Sequence, residues 1–226
     1  MPDSSLYVVV PAYNEAGAVG RVVGQLKDYG YQVVVVDDGS VDGTGQIARD
    51  SGATVLTHLL NRGQGAALKT GIDYALGRGA DVIVTFDGDG QHRAEEIARV
   101  AEPILAGRCD VVLGSRFMDG QSQVPPLRKL VLKAGVLFTR VVSHIRVTDT
   151  HNGFRAFSSL AARQIGIRQA RMAHASEILD EIGRLGLRYC EVPTRISYTD
   201  YSGNKGQSSL AAFRIVVDFL MDRRKR

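Results

Sequence analysis

Short apolar segments rich in β-branched residues alternate with helical segments along the first half of the chain, and this alternation constrains the fold most. The predicted strands cover residues 6–10, 31–36, 53–56, 81–86 and 110–113. The predicted helices lie between them, at residues 15–29, 44–50, 65–76 and 94–105. Strands joined through helices favour right-handed crossovers and a mostly parallel sheet. The sequence therefore predicts an α/β fold in which helices flank that sheet.

Three of these strands end at polar or turn-forming residues. Pro11 follows the first strand, Asp37 follows the second, and Asp87 follows the strand at 81–86. Open α/β sheets bind ligands in the crevice outside the carboxyl ends of their strands. We therefore expect the three loops to converge on one functional site.

Two carboxylates, those of Asp87 and Asp89, are separated only by Gly88 and come directly after a buried strand. Carboxylates this close repel each other unless a positive charge lies between them. A hard divalent cation such as Mg²⁺ or Mn²⁺ suits oxygen ligands and commonly bridges to substrate phosphates. The alternative is a solvated acidic turn, because Asp and Gly are ordinary turn residues.

Size and charge restrict the class of protein. The chain has 226 residues, of which 44% are hydrophobic, and this is enough for one compact α/β domain with a proper core. Its net charge of +4 suits an anionic substrate or an anionic membrane surface. The sequence contains no aromatic-basic RNA signature and no helix-turn-helix pattern, so nucleic acid is not an expected partner.

Cysteine usage and the absence of an apolar run long enough to span a bilayer indicate a cytoplasmic location. Cys109 and Cys190 are far apart in the sequence and have neither metal-ligand nor redox spacing, so we expect two reduced thiols, as in the cytosol. Residues 1–5 lead directly into a predicted strand and offer no signal peptide. No apolar run approaches the roughly 20 residues needed to span a bilayer.

Two basic segments in the second half of the chain are predicted to form amphipathic helices. Residues 127–145 carry apolar side chains at helical spacing, and no acidic residue occurs between Asp119 and Asp149. Such a helix suits an anionic membrane surface, but a core-packing helix with a basic outer face is an equal alternative. A second stripe at 210–220 precedes the basic residues 223–226. These segments would lie on the inner leaflet or dock on a small membrane protein, unless the end of the chain is only a solubilising tail.

Several motifs, in their order along the chain, resemble the family 2 glycosyltransferases, which are inverting enzymes of the GT-A fold, a Rossmann-like mostly parallel sheet flanked by helices. The motifs are Pro11-Ala12-Tyr13-Asn14-Glu15, Asp37-Asp38-Gly39-Ser40, the glycine-rich segment 61–71, Asp87-Gly88-Asp89 and Gly114-Ser115-Arg116-Phe117. Three later motifs resemble the branch of dolichyl- and polyprenyl-phosphate sugar synthases, namely Thr148-Asp149, Gly153-Phe154-Arg155 and Glu191-Val192-Pro193.

The resemblance implies a single glycosyltransferase domain over residues 1–226, with a nucleotide-sugar-binding half at 1–118 and an acceptor- and membrane-facing half at 119–226. It implies inverting, metal-dependent transfer of a sugar from a UDP- or GDP-linked donor to a polyprenyl phosphate, with Mg²⁺ or Mn²⁺, at the cytosolic face of the membrane. The alternatives are transfer to a saccharide hydroxyl in cell-surface polysaccharide assembly and a non-catalytic nucleotide-sugar-binding subunit.

The resemblance assigns four residues after the first strand to the nucleotide pocket, namely Pro11, Ala12, Tyr13 and Glu15. In the next motif, Asp38 is expected to accept hydrogen bonds from the base or ribose, and Gly39 permits a close backbone approach. Ser40 is expected to cap the turn. The plainer alternative is that Pro11 merely ends the strand and Tyr13 packs against the core.

The same resemblance makes Asp87 and Asp89 the metal ligands, with Gln91 as a neutral third ligand and Gly88 beside the donor. Asp89 is also counted among the catalytic residues. The alternative for Gln91 and His92 is that they only shape the turn. His92 is the poorer ligand, since a hard ion prefers oxygen.

Two basic residues are candidate phosphate contacts. Lys69 lies one helical turn after Gly65 and can reach a phosphate, although a solvent-facing lysine is the more common outcome. Arg116 follows a strand, and its planar guanidinium suits the donor diphosphate or an acceptor phosphate. A structural ion pair is the alternative for Arg116.

The remaining candidates concern the acceptor. Asp149 is the general base if the acceptor is a hydroxyl, and it orients Arg155 or the acceptor if that is a phosphate, which is already largely anionic; a surface turn is the plain alternative. Lys205 matches the lysine of the branch's acceptor segment, which we expect to be a mobile loop that orders over substrate. The arginine usually found just before it is replaced by Thr199, for which Arg195 is a possible substitute.

Overall fold

The computed structural model describes residues 5–118, 145–150, 152–171 and 173–195. The strands are β1 (Leu6–Ala12), β2 (Gln32–Asp37), β3 (Thr54–Thr57), β4 (Val82–Thr85), β5 (Val111–Ser115), β6 (Arg155–Ser158) and β7 (Tyr189–Pro193). The helices are α1 (Val19–Asp28), α2 (Thr44–Asp50), α3 (Gln64–Gly77), α4 (Ile97–Leu105), α5 (Ser159–Gln164) and α6 (His174–Leu185), with a 3₁₀ turn (Ala94–Glu96) leading into α4.

The described strands form one seven-stranded sheet in the order β3-β2-β1-β4-β6-β5-β7. Among them only β6 runs antiparallel, between β4 and β5, and the other neighbouring pairs are parallel. The predicted α/β fold with a mostly parallel sheet is therefore confirmed. Because β6 and β7 follow residue 118 in sequence, the two predicted halves of the chain share this sheet.

Helices cover both faces of the sheet, and each face has its own apolar cluster. On one face, Val8 and Val10 of β1 pack with residues of α1 and α4. On the other face, Val9 packs with residues of α3, α5 and α6. The valines of β1 alternate between the clusters because successive strand side chains point to opposite faces.

Pro11 does not end the first strand, as one alternative had it, because β1 continues to Ala12. The carbonyl oxygen of Val9 accepts a hydrogen bond from the Phe86 N–H on the β4 side, and that of Ala12 accepts one from the Asp38 N–H on the β2 side. The backbone of Pro11 therefore faces β4 beyond the end of that strand. A missing N–H costs no ladder hydrogen bond at this position.

Helix α1 begins four residues later than predicted, because residues before it are tied to the neighbouring loop. The N–H of Glu15 donates to the Thr44 hydroxyl at 2.8 Å, and the N–H of Ala16 donates to the Asp42 carboxylate at 3.1 Å. The N–H groups of Ala18 and Val19 both donate to the carbonyl of Glu15. These bonds hold residues 15–18 as a turn and bring the loops after β1 and β2 together.

Cys109 and Cys190 are both free thiols, as expected, and the fold brings them into contact. Cys190 lies on β7 opposite Val112 of the adjacent strand β5, and Cys109 comes just before β5. Their Sγ atoms are 2.6 Å apart. The long separation in sequence conceals this contact, because only the sheet order makes β5 and β7 neighbours.

Several predictions lie outside the described residues, namely most of the basic segment at 127–145, Lys205 with its loop, and the stripe at 210–220. Where that first segment ends, Ile145 is described and buried in the core. Within the described ranges, no helix combines the length and hydropathy needed to cross a bilayer.

Candidate active site

The loops after β1, β2 and β4 meet at the carboxyl edge of the sheet. A side chain at Gly88 would lie 3.2 Å from the carbonyl oxygen of Pro11, and the Ser40 hydroxyl accepts a hydrogen bond from the Asn14 N–H at 2.9 Å. The polar strand ends therefore face one region, as the parallel arrangement requires.

The carboxylate of Asp87 is held through both of its oxygens. The Gln64 amide donates to Oδ1 at 3.2 Å, and Nε2 of His92 lies 2.9 Å from Oδ2. The His92 ring is buried against the rings of Phe86 and Phe154, whose centroids lie 5.5 Å and 5.0 Å from its own. About 30% of the Asp87 side chain stays exposed, so the carboxylate is fixed in orientation but accessible.

The backbone opposite Asp87 also needs a glycine. A Cβ atom at Gly153 would lie 2.8 Å from the nearer carboxylate oxygen of Asp87. The carbonyl oxygen of Gly153 accepts a hydrogen bond from the Thr85 hydroxyl at 2.6 Å, which fixes this close approach at the end of β4. The motif residue Gly153 thus makes room for the predicted metal ligand.

The two neighbouring carboxylates have pKa values shifted in opposite directions. Burial raises the pKa of Asp87, but the hydrogen bond and the charge of His92, together with the charges of His174 and Arg155, outweigh burial and lower it overall. Burial and then the negative charge of Asp87 raise the pKa of Asp89, although the N–H of Gln91 donates to its Oδ1 at 2.9 Å. Two unlike pKa values in adjacent acids indicate a site where a second negative charge is unfavourable.

This charge pattern fits a divalent cation, which would relieve the repulsion between Asp87 and Asp89. Within the described ranges, no group of three His, Cys, Asp or Glu side chains forms a complete metal cluster. A hard ion such as Mg²⁺ usually takes only one or two protein carboxylates and completes its shell with water and phosphate oxygens, so two carboxylates are an adequate donor set. Ligation by the Gln91 side chain stays a prediction.

Arg116 and Asp149 form a buried ion pair with two parallel contacts. Nε of Arg116 donates to Oδ2 of Asp149 at 2.6 Å, and Nη2 donates to Oδ1 at 2.7 Å. The N–H of Arg116 also donates to Oδ2 at 3.2 Å. Asp149 is only 3% exposed and is paired with Arg116, so the surface-turn alternative is wrong.

Arg155 is directed at the backbone. Its Nε donates to the carbonyl of Asn152, and its Nη2 donates to the carbonyls of Thr150 and Ala175 at 3.2–3.3 Å. Burial lowers its pKa to about 10, against the opposing effect of the Asp149 and Asp87 carboxylates. Arg155 therefore positions the segment that carries Asp149, and its predicted catalytic role would act through that segment.

Asp38 is buried and fastens the segment before α3. Its Oδ1 accepts a hydrogen bond from the Arg62 N–H at 2.9 Å and lies 2.6 Å from Nδ1 of His58. Its Oδ2 accepts one from the Gly63 N–H at 2.6 Å. The other ring nitrogen of His58 lies 3.0 Å from the Thr70 hydroxyl on α3. Asp38 thus holds the segment before α3 in place, and its contact with a base stays a prediction.

The other residues predicted to bind the donor differ in their exposure. Pro11 and Ala12 are buried, while Tyr13 is 45% exposed at the surface. Glu15 is close enough for its charge to contribute to the raised pKa of Asp89. Gly39 has a φ of +76°, and a Cβ there would lie 2.8 Å from the Asn61 backbone, so its close approach is to the chain itself.

Lys69 is placed on α3 with its ammonium against the carboxylate of Asp73, one turn later. Both side chains are about half exposed, so the structure agrees with the solvent-facing alternative. Lys205 lies outside the described residues.

Sequence reasoning missed Gln64, although it lies in the quoted glycine-rich segment, and it gave His92 no role beyond ligation or turn formation. The signal for Gln64 was its place at the start of α3, directly after Gly63. Because α3 begins and β4 ends at the same edge of the sheet, a contact between Gln64 and Asp87 could have been suggested. The packing of His92 against Phe86 and Phe154 could be recognised only after the fold was known.

Residues 7–166 match the sequence model of the family described as Glycosyl transferase family 2. This match covers well over half of the chain. The protein therefore belongs to the family 2 glycosyltransferases.

Curated relatives belong to the branch that uses polyprenyl phosphates. The chain is 34% identical to the UDP-N-acetylglucosamine–dolichyl-phosphate N-acetylglucosaminyltransferase of Methanococcus voltae, over 98% of this chain and 97% of the relative. It is also 34% identical to the undecaprenyl-phosphate mannosyltransferase of Micrococcus luteus, over 82% of this chain and 80% of the relative. The predicted resemblance to this branch is confirmed.

A solved structure shows the same architecture. Glucosyl-3-phosphoglycerate synthase from Mycobacterium tuberculosis, in complex with Mn²⁺, UDP and glucosyl-3-phosphoglycerate, superimposes with a TM-score of 0.74 at 19% identity. The match covers 98% of this chain and 80% of that chain. At this identity the likeness establishes the GT-A fold and nothing finer.

Proposed function

We propose that this protein transfers one sugar, with inversion, from a nucleoside-diphosphate sugar to a polyprenyl phosphate. The observation that carries the proposal is the pair Asp87 and Asp89 at the carboxyl edge of the sheet, with Asp87 fixed by Gln64 and His92. The polyprenyl-phosphate relatives support the acceptor. One relative is named for UDP-N-acetylglucosamine and another for mannose with no nucleotide given, so we include both UDP- and GDP-linked sugars as candidate donors.

Asp87 and Asp89 would hold a Mg²⁺ or Mn²⁺ ion, with Gln91 as a candidate third ligand. Such an ion supplies positive charge that stabilises the departing diphosphate. The protein itself contributes the fixed orientation of Asp87 and the loops that enclose the donor. Preorganised groups of this kind act on the transition state without a cost for reorganisation.

The arrangement around Asp149 favours a phosphate acceptor. A general base needs a carboxylate that can reach the acceptor hydroxyl and take its proton. Both oxygens of Asp149 accept hydrogen bonds from the Arg116 guanidinium. A phosphate monoester has a second pKa near about 6, so at neutral pH it is already largely anionic and needs positioning rather than deprotonation.

The proposal is tested with a panel of UDP- and GDP-linked radiolabelled sugars, polyprenyl phosphate and Mn²⁺. We expect label from one donor to enter the lipid phase, to stop with chelator and to return with Mn²⁺. Asp87→Asn and Asp89→Asn should each lower this rate by roughly 100-fold or more. Asp28→Asn is the matched control, because Asp28 ends α1 at an exposed position and belongs to no strand-end loop of the site.

The outcome against the proposal is label that stays in water for every donor. A second candidate, transfer to a saccharide hydroxyl, is examined by supplying the same donors with soluble saccharides. Labelled oligosaccharide formed without polyprenyl phosphate would replace the first proposal with this one.

We also propose that the reaction takes place at the cytosolic face of the membrane. Basic residues at 127–146 and 223–226 and a net charge of +4 support attraction to anionic lipid. A small membrane-anchoring protein is the alternative partner. Vesicle binding by the purified chain distinguishes the two, since docking on another protein would leave lipid binding weak.

A further inference from the structure

Cys109 and Cys190 form a thiol pair on the side of the sheet away from the site. They are 81 positions apart in the chain, and their Sγ atoms lie 2.6 Å from each other. A bonded disulfide has its sulfurs about 2.05 Å apart, so bond formation needs a shift of only about half an ångström. Cys109 belongs to the buried apolar cluster that also contains residues of α4, and the partly buried Cys190 packs against that cluster.

The backbone around the two sulfurs is held from both strands. The N–H groups of Asp110 and Val111 both donate to the carbonyl of Arg188. The Arg188 guanidinium donates to both carboxylate oxygens of Asp110, at 3.1 Å and 2.8 Å, and to the carbonyl of Gly107 at 3.0 Å. The thiols are therefore brought together by the sheet and its flanking contacts.

We propose that Cys109 and Cys190 are a modification site at which an intramolecular disulfide forms. The oxidant is a low-molecular-weight disulfide. The thiolate of one cysteine attacks it, forms a mixed disulfide and releases one small thiol. The second cysteine then attacks the protein sulfur of that mixed disulfide and releases the other small thiol. One disulfide is thus reduced to two thiols while the two protein thiols become one disulfide.

The order of attack follows from exposure. Cys109 is only 4% exposed, whereas Cys190 is partly exposed. Burial, together with the neighbouring sulfur, raises the pKa of Cys109 to about 12, so its thiolate is scarce at neutral pH. Cys190 therefore makes the first attack, and Cys109 is the resolving thiol.

The disulfide would tie β7, one of the two edge strands of the described sheet, to the turn before β5. The residue after Cys190 is Glu191, whose carboxylate accepts hydrogen bonds from the N–H and the hydroxyl of Thr148. Thr148 directly precedes Asp149. The bond would thus anchor the strand that supports the Arg116 ion pair, without adding any group to the site.

The test uses the full-length purified chain with oxidised glutathione, followed by acid quench and intact mass measurement. We expect the wild type to become lighter by the mass of two hydrogen atoms and peptide mapping to join Cys109 to Cys190. Thermal unfolding should shift upward by roughly 5 to 15 °C, because the bond closes a long loop. In denaturant, where the sheet no longer holds the pair, glutathione adducts should dominate.

Single variants test the order of attack. Cys109→Ser should accumulate one glutathione adduct at Cys190, whereas Cys190→Ser should stay almost unmodified under the same conditions. Cys109→Ala and Cys190→Ala repeat the comparison without a hydroxyl. Wild type that carries two adducts, stays fully reduced or forms only disulfide-linked dimers would overturn the proposal, and peptide mapping of the wild type decides this even if a variant does not fold.

Discussion

At the scale of single residues, the site depends on the neighbours that fix Asp87. A carboxylate binds a metal ion more tightly when hydrogen bonds from neighbouring groups hold its orientation. Here those contacts are the Gln64 amide and Nε2 of His92. Nδ1 of His92 has no hydrogen-bond partner among the described residues, so the ring's one polar contact there is with Asp87.

We expect His92→Phe to lower the transfer rate by roughly 10- to 100-fold, because phenylalanine fills the aromatic pocket but gives Asp87 no donor. His92→Gln, which keeps an N–H donor, should lose less. Initial rates at saturating donor and Mn²⁺, together with thermal unfolding, are the measurements. A normal rate for a normally folded His92→Phe protein would remove the positioning role.

Gly153→Ala should lower the rate by roughly 100-fold, since the added Cβ would lie 2.8 Å from Asp87 and displace its carboxylate. Gly77→Ala is the matched control, because a Cβ there meets nothing within 4 Å. Rates of the two variants are compared at equal Mn²⁺. Equal transfer rates for the two variants would mean that the carboxylate of Asp87 can be displaced without loss of activity.

At the scale of elements, the Arg116–Asp149 pair joins the end of β5 to the segment at 145–150. Removing one partner of a buried ion pair leaves the other charge uncompensated. Asp149→Ala should therefore lower the free energy of unfolding by about 3–5 kcal/mol. The double change Asp149→Ala with Arg116→Met should recover part of that loss, as measured by urea unfolding. Strictly additive losses would mean that the pair is not coupled.

The loop between β2 and α2 depends on a left-handed glycine. Gly39→Ala should destabilise the fold by about 1–3 kcal/mol, because its φ is +76° and its Cβ would collide with the Asn61 backbone. Gly24→Ala, in the open interior of α1, should instead stabilise by about 0.5–1 kcal/mol. The unfolding temperature should fall in the first variant and rise in the second. Equal shifts would mean that the backbone at Gly39 is not strained by a side chain.

The strands of the first half were predictable because their β-branched runs end at polar residues, and each agrees with the structure to within two residues. The start of α1 was not predictable, because Thr44 and Asp42 accept hydrogen bonds from backbone N–H groups that would otherwise have lain in the first turn of the helix. The sequence suggested an ion pair for Arg116 as an alternative, but it could not identify the partner, since Asp149 lies 33 positions away. Contacts of this range depend on strand order.

At the scale of the whole molecule, charge determines the expected behaviour on lipid. Changing the four basic residues 223–226 to glutamine should weaken binding to anionic vesicles, at about 1 kcal/mol or roughly fivefold per residue. Added salt should weaken the wild type in the same way. Cosedimentation with anionic and neutral vesicles measures this effect. Unchanged binding would assign the tail no role at the surface.

The position of β6 in the sheet has a further consequence. This strand comes late in the sequence, yet it alone joins β4 to β5. A fragment ending at residue 118 would contain β5 but neither of its two neighbours, and so would have a gap through its middle. We therefore expect residues 1–118 not to fold as a separate unit before the later strand has been synthesised.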